Sequence, residues 1–378
     1  MHSGLSLTLL IGKKVPAPAS TLLLDALQEV EVSSSDGEHD GFKIVFNAGR
    51  SGSADASDYP LLNSPLLKLF NRVIIMVSFG VVPKVLIDGI LAHQQLNPSP
   101  EPGKSTITVI GEDISVLMDL KEKTETFPGQ TDVAKVTRII GAYSQYGLKP
   151  DVVTPASMEV PLEVNTVTSQ RNTDLAYLRN LAKEYAHVFY IEPTDAPGVN
   201  TAYWGPSIRS GAPQKAITFN MGPFTNAVSI NFQNDALAQT SVGGKIQDPI
   251  TGAKFEIPSL PSSLPSLSGQ PSAGINEENQ KSMELRESGL SVTQMLIKAQ
   301  SGTNESSDSV TVTGELDSMR YGDVLHARRL VGLRGVGKSY DGYYYVKKVV
   351  HTIVRGEYKQ HFTLTRSGVR STTSTVIP

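Results

Sequence analysis

The chain has 378 residues, enough for two or three domains, and with 39% hydrophobic and 19% charged residues it can bury cores rather than stay disordered. A net charge of −3 gives no basic excess for nucleic-acid recognition, and the absence of cysteine excludes a disulfide framework, a thiolate zinc site and a cysteine nucleophile. The apolar run 5–11 lacks the basic start of a signal peptide, and the most apolar stretch, 73–82, is too short to cross a bilayer before Pro83, Lys84 and Asp88.

Taken in chain order, the first part reads as strands. They are expected at 5–11, at 42–46 after turn residues 33–41, and at 73–79, 85–91 and 106–110, with Gly, Pro and Asn clusters between them. Short strands at this spacing predict a barrel or sandwich. The pattern then changes. Val133, Val136, Ile140 and Tyr143 recur at helical steps, so a helix is expected over 131–147, ending at Gly147 as a left-handed C-cap. A second helix is expected over 174–186, with Thr173 as N-cap and a stripe of Leu175, Leu178, Leu181 and Tyr185. A strand at 188–192 follows.

Val228, Ile230 and Phe232 alternate with polar residues and return the chain to strand. The Ser-, Pro- and Gly-rich run 257–274 predicts an extended, mobile linker. Residues 291–300 suit a short helix capped by Ser291. Strands are expected at 310–313, 324–327, 343–354 and 358–366, with a hairpin turn at 355–357 and Gln360 out of step in the last alternation. The expected division is a first β domain at 1–120, an α/β module at 121–205, return strands of the second β domain at 206–256, a linker at 257–285, the second β domain at 286–368 and a tail at 369–378.

Gly332, Gly337, Lys338 and Ser339 match the phosphate-loop pattern G-x-x-x-x-G-K-[ST]. That chemistry needs a helix N-terminus aimed at the phosphate directly after the Lys-Ser pair. Here Tyr340-Asp341-Gly342 and a β-branched, aromatic run follow, so a β-turn is the better reading and no cofactor is expected. The seven histidines show no metal spacing, and the polar cluster Asp36, Glu38, His39 and Asp40 reads as a solvated loop. No nucleophile–base arrangement emerges, so no enzyme is expected. His351 and His361 fall on adjacent strands. Tyr343, Tyr344 and Tyr345 place aromatics on both faces of one strand, whose second face is either a half-wet interface or covered within the chain. Tyr343, Tyr345, His351 and His361 are therefore the candidate interface residues.

Two segments carry a family resemblance. Tyr321-Gly322-Asp323, then Tyr340-Asp341-Gly342-Tyr343-Tyr344-Tyr345-Val346, Val349, His351, Gly356, Tyr358, Phe362, Leu364 and Arg366 resemble the closing segment of the phage late control protein D family. Gln170, Thr173, Asp174, Leu178, Arg179, Leu181, Ala182, Glu184, Phe189 and Tyr190 match the family's middle motif, with Ala186 and His187 where a Gly is usual. The resemblance covers about residues 130–368, while the first β domain fits by pattern only. It implies a baseplate hub protein of contractile phage tails and injection systems, related to the N-terminal part of the type VI secretion spike. The implied fold is mainly β: two tube-subunit-like β-barrel domains plus a small α/β module. The implied partners are two further copies in a homotrimer, an inner tube protein, a spike protein and other baseplate proteins, with no nucleic-acid recognition and no membrane span. Assembly in the bacterial cytoplasm into a virion tail or injection particle is implied with them. Residues 367–378 are small and polar, so the spike is expected as a separate chain that docks on the C-terminal side of the second barrel, where this tail lies. A β-rich ligand- or peptide-binding module of a secreted or surface protein is the alternative.

Overall fold

The computed structural model describes residues 4–376 except 14, 38, 49–58, 81, 102, 156–168, 248–251, 273–280, 287–290 and 374–375. The first β region holds β1 (Leu5–Gly12), β2 (Ala17–Pro18), helix α1 (Thr21–Asp25), β3 (Leu27–Ser35), β4 (Gly41–Asn47), β5 (Arg72–Phe79), β6 (Pro83–Asn97) and β7 (Thr106–Asp113). The strands pair in the order β3–β4–β7–β6–β5–β1–β2. Alternation sets the faces: Phe42, Ile44 and Phe46 of β4 enter the core with Val30 and Val32 of β3. The expected turn at 33–41 is partly strand, because β3 continues to Ser35. Ladder bonds on both edges of β3 override the turn preference of its serines.

The α/β module follows as β8 (Glu125–Thr126), α2 (Asp132–Gly141), β9 (Leu148–Val152), β10 (Ser169–Gln170), α3 (Asp174–Glu184), β11 (His187–Pro193) and β12 (Asn200–Pro206). The helix expected to reach residue 147 stops at Gly141, and a 3-10 turn at Ser144–Tyr146 precedes the left-handed Gly147 (φ 82°). The sheet order is β11–β12–β9. Val136, Ile140, Leu178, Phe189 and Trp204 share one core with Ile90 of β6 and with Ile114, so the module grows directly from the first region.

In the second β region come β13 (Gln214–Thr218) and β14 (Ala227–Asn234), then β15 (Thr240–Gln247), β16 (Lys254–Ile257), β17 (Ser268–Pro271), β18 (Lys281–Leu285) and α4 (Val292–Glu305). After these come β19 (Val310–Asp317), α5 (Ser318–Tyr321), β20 (Leu330–Arg334), β21 (Gly342–Val354), β22 (Glu357–Arg366) and β23 (Gly368–Ser371). Residues 206–256 do not all return to the second β region. β15 and β16 join β18 in a separate sheet under α4, with its own core of Val242, Ile246, Ile257, Met295 and Ala299. The expected strand at 324–327 is an extended segment instead. Its N–H groups go to side chains rather than to a ladder: Val324 N donates to Asp323 Oδ1 (2.7 Å), Leu325 N to Gln360 Oε1 (2.7 Å) and His326 N to Gln214 Oε1 (2.8 Å).

The two β regions are one sheet. β21 pairs with β20 through residues 342–345 and with β3 through residues 348–354. The result has 13 strands, with the main path β14–β19–β22–β21–β3–β4–β7–β6–β5–β1–β2. The chain is mainly β with an α/β insertion, as expected, and no closed barrel is found among the described strands.

The expected mobile linker is also pinned. β17 pairs with β23, and Leu267 is buried against Leu330 and Tyr345. The hydroxyls of Ser266, Ser268 and Ser367 bond one another at 2.9–3.4 Å, so a serine-rich strap satisfies its own polar groups. Residues 273–274 of the expected linker lie outside the described residues. The start of the expected tail is ordered in β23, and Val376 is buried beside Gly332, while 374–375 and 377–378 lie outside the description.

Candidate protein interface

The residues of the late-motif resemblance hold the closing hairpin together. Asp341 Oδ1 accepts from Val336 N (2.9 Å) and closes the glycine-rich turn. Gly342 has φ 136°, a conformation open essentially to glycine, and sits under Arg366. Arg366 is fully buried, donates to the carbonyls of Ser339 (2.7 Å) and Asp341 (3.1 Å), and lies 4.3 Å above the Tyr344 ring. Gln360, which broke the alternation, is fully buried with both amide atoms bonded, its Nε2 donating to Asp323 O (2.9 Å). In the middle motif the Thr173 hydroxyl caps α3, and Asp174 accepts from Gln170 Nε2 (2.8 Å), Tyr143 Oη (2.7 Å) and Lys123. Both motifs specify packing and capping.

The strand after Lys338 is β21, not a helix. Three of the turn's N–H groups are spent internally: Tyr340 N and Asp341 N donate to Gly337 O, and Val336 N to Asp341 Oδ1. Gly335 (φ 85°) cannot carry a side chain, because a Cβ would run into the Phe219 carbonyl. Of the two pattern glycines, Gly337 (φ 99°) lies in the turn, whereas Gly332 lies in β20 opposite Tyr343.

The four candidate interface residues separate into two pairs. Tyr345 is buried within the chain, its hydroxyl donating to Asp36 Oδ2 (3.1 Å) and its ring covered by Arg209 at 4.9 Å. With Tyr344 also buried, this end of β21 is covered on both faces by its own chain. His351 is likewise interior. It shares a hydrogen bond with Tyr358 Oη (2.8 Å), and burial pushes its pKa down to about 3. His351 and His361 do not face each other, since His351 opposes Gln360 and His361 opposes Val350. Tyr345 and His351 are therefore not available to a partner. Tyr343 is half-buried, and His361 is exposed 3.6 Å from Glu315 on the open face of β14, β19, β22 and β21.

Sequence reasoning missed the strongest electrostatic feature, a pair of buried arginines that join the parts. Arg328 donates to both carboxylate oxygens of Asp40 (2.5 and 2.9 Å) and to Ser35 O (2.6 Å), and lies 4.2 Å over the Tyr190 ring. It links the second β region to the first and to the module. Arg72 pairs with Asp88 through two bonds of 2.7 Å and reaches the carbonyls of Tyr146 (2.9 Å) and Gly198 (3.2 Å) in the module. The Asp36–Asp40 segment, read as a solvated loop, contains the buried Asp40 and the half-buried Asp36, whose carboxyl is pushed up by desolvation; Glu38 lies outside the described residues. Spacing in the sequence carries no signal for pairs 288 residues apart.

The sheet's two ends are open. β14 pairs only with β19, and its free side carries Val228, 57% exposed. At the other end β1 meets the two-residue β2 only at Leu10 and Ile11. Among the described residues, no group of three or more His, Asp or Glu is placed to hold a metal ion, and no helix is long and apolar enough to cross a membrane.

No family model and no curated protein matches the chain. Solved structures match it along nearly its whole length. A tail protein from Neisseria meningitidis MC58 superposes with a TM-score of 0.66 at 12% identity, covering 97% of this chain and 98% of its own. The 43 kDa tail protein of prophage MuSo2 from Shewanella oneidensis gives 0.64 at 12% identity, covering 96% and 99%. An Escherichia coli component of the type VI secretion system, itself similar to T4 bacteriophage tail proteins, gives 0.53 at 10% identity, covering 93% of this chain and 77% of that one. The chain has the fold that phage tail proteins share with this type VI secretion component.

Proposed function

We propose that the chain is a structural, non-catalytic hub of a contractile tail or injection particle, a homotrimer that adapts a hexameric inner tube to a trimeric spike. The observation that carries this reading is the match in fold to tail proteins over nearly the full length of both chains, beside which this chain's sheet has two open ends. Fold alone does not assign function, so the argument also rests on what those ends require. An open edge of strand is a template for pairing. Pairing the β14 edge of one copy with the β1 edge of the next is a head-to-tail contact, which closes into a ring of three when each copy is turned by a third of a full rotation. Three copies with two β regions each present six β regions to a hexameric tube. Tyr343 and His361, on the accessible part of the second region, remain the candidate contact residues. The spike, the inner tube and other baseplate proteins are the proposed partners.

The test is light scattering and negative-stain imaging of the purified chain, alone and with tube and spike proteins of its own system. A trimer mass and threefold rings with a central channel are expected. A monomer that stays monomeric with both partners present overturns the reading.

A further inference from the structure

The glycine-rich turn, the end of β20 and the start of β23 enclose a cleft of about 940 Å³. Its lining brings together Arg334, Lys338 and Arg370, with Met221 and Val376 as apolar floor. Lys338 and Arg370 are exposed. Among the described residues, no carboxylate forms an ion pair with any of the three cations. The one acid in the lining, Asp341, commits its Oδ1 to Val336 N. This is a local positive excess in a chain whose net charge is −3.

We propose that this cleft binds an acidic, extended polypeptide segment of a partner protein, whose carboxylates meet the three cations and whose apolar side chains rest on Met221 and Val376. Free phosphate or a nucleotide fits less well. The N–H groups of Val336, Tyr340, Asp341 and Arg370 are already bonded within the chain, and a strand rather than a helix N-terminus follows Lys338, so the loop lacks the usual phosphate cradle. The size argues the same way. At roughly 30 Å³ per water, the cleft holds about thirty waters, far more than one phosphate displaces. Two arginines among the three cations suit carboxylates, which they bind through paired N–H groups. One copy of the chain builds the whole cleft, so the inference stands apart from the trimeric reading.

The probe is a fluorescein-labelled eight-residue peptide of alternating Glu and Leu, followed by anisotropy at 50 mM NaCl, with a Lys–Leu peptide as control. The expected result is binding of the Glu–Leu peptide only, at least tenfold weaker in the double variant Lys338→Glu/Arg370→Glu and at least tenfold weaker for the parent at 500 mM NaCl. The salt titration of the parent keeps the test decisive if the double variant folds poorly. Binding unchanged by both perturbations, or no binding at all, overturns the proposal. Displacement of the peptide by millimolar ATP or inorganic phosphate also overturns it and makes the cleft a phosphate site. Peptide binding that disappears as the chain self-associates, seen by light scattering, overturns it in favour of a second copy as occupant.

Discussion

Removing Arg328 tests how the parts of the molecule are held together. Its guanidinium is buried, bonded to both oxygens of the buried Asp40 carboxylate, and stacked on Tyr190. Arg328→Ala leaves Asp40 with its bond from Ser35 N and no bonded counter-charge, only the more distant charge of Arg179. Breaking a buried pair by removing one partner costs about 3–5 kcal/mol, a large part of a typical stability of about 5–15 kcal/mol. The backbone gives nothing back, because Arg328 sits at φ 62° and alanine is strained there as well. Urea unfolding should be followed by fluorescence of Trp204, the single tryptophan, which is buried in the module, and by far-ultraviolet circular dichroism, which averages over the chain. In the parent the two transitions should coincide. In Arg328→Ala the midpoint should fall and the transitions should separate, because the contact between module and second β region is lost. Arg328→Met with Asp40→Asn, which removes both charges, should recover at least half of the loss, the sign of an uncompensated carboxylate rather than of lost packing. A loss below about 1 kcal/mol for Arg328→Ala, or a double variant no better than the sum of its singles, refutes the reasoning.

The remaining predictions concern pH, turns, the strap and the sheet edge. Burial and the nearby Asp40 raise Asp113 to about pKa 6 from 3.8, so its protonated form favours the fold below pH 3.8 and that contribution is lost as pH rises through 6. Asp113→Asn should be close to neutral at pH 5 and stabilising by about 1–3 kcal/mol at pH 8 in urea titrations. His351 and His326 are pushed down by burial to about 3 and about 4, so stability present above pH 6.5 should fall as the pH drops toward 4, less steeply in His351→Asn. Ala186 ends α3 at φ 56°, and Ala186→Gly should stabilise by about 0.5–1 kcal/mol, relief of left-handed strain outweighing the looser unfolded chain; a lower melting temperature contradicts this. Leu267→Ala should cost about 2 kcal/mol or more and open the 257–272 strap to limited proteolysis, whereas the parent strap should resist cleavage. Val228→Lys on the β14 edge should shift association toward monomer while changing the monomer's stability by less than about 0.5 kcal/mol.

Local chemistry made much of the fold legible. Strand alternation in β4 and β22, the caps Thr173 and Ser291, and the strand after Lys338 all follow from neighbours within a few residues. Ser291 even forms a capping box with Gln294. What was not legible depends on partners far along the chain. The serines of β3 read as a turn because nothing local reveals that β21 will cover their second edge. Residues 324–327 read as a strand because three of the four are apolar, yet the N–H groups of Leu325 and His326 are taken by Gln360 and Gln214. The strap read as mobile because its composition is that of a linker. One buried leucine and a short ladder to β23 fix it. In the candidate interface, the pattern supplied tyrosines on both faces of β21. Only the strap, Arg209 and Asp36, from three other parts of the chain, show that Tyr345 is covered.

The same distant contacts bear on how the molecule responds to force. Two domains joined by a polar linker are expected to move against each other. Here the junction is a ladder of seven paired residues between β21 and β3, with Arg328 bonded across it and Arg72 binding the module to the first region. To bend there, the chain must break ladder hydrogen bonds and expose a paired charge together. Each step is costly in a buried setting, and neither can be taken alone. A pull on the β14 end is therefore carried through β19, β22, β21 and β3 to β1 as tension in consecutive ladders rather than as rotation at a hinge. A protein that must hold fixed angles between a tube above and a spike below needs this stiffness. A mobile ligand-binding module has no use for a charge pair that locks its two halves, and that difference favours the hub over the binding module.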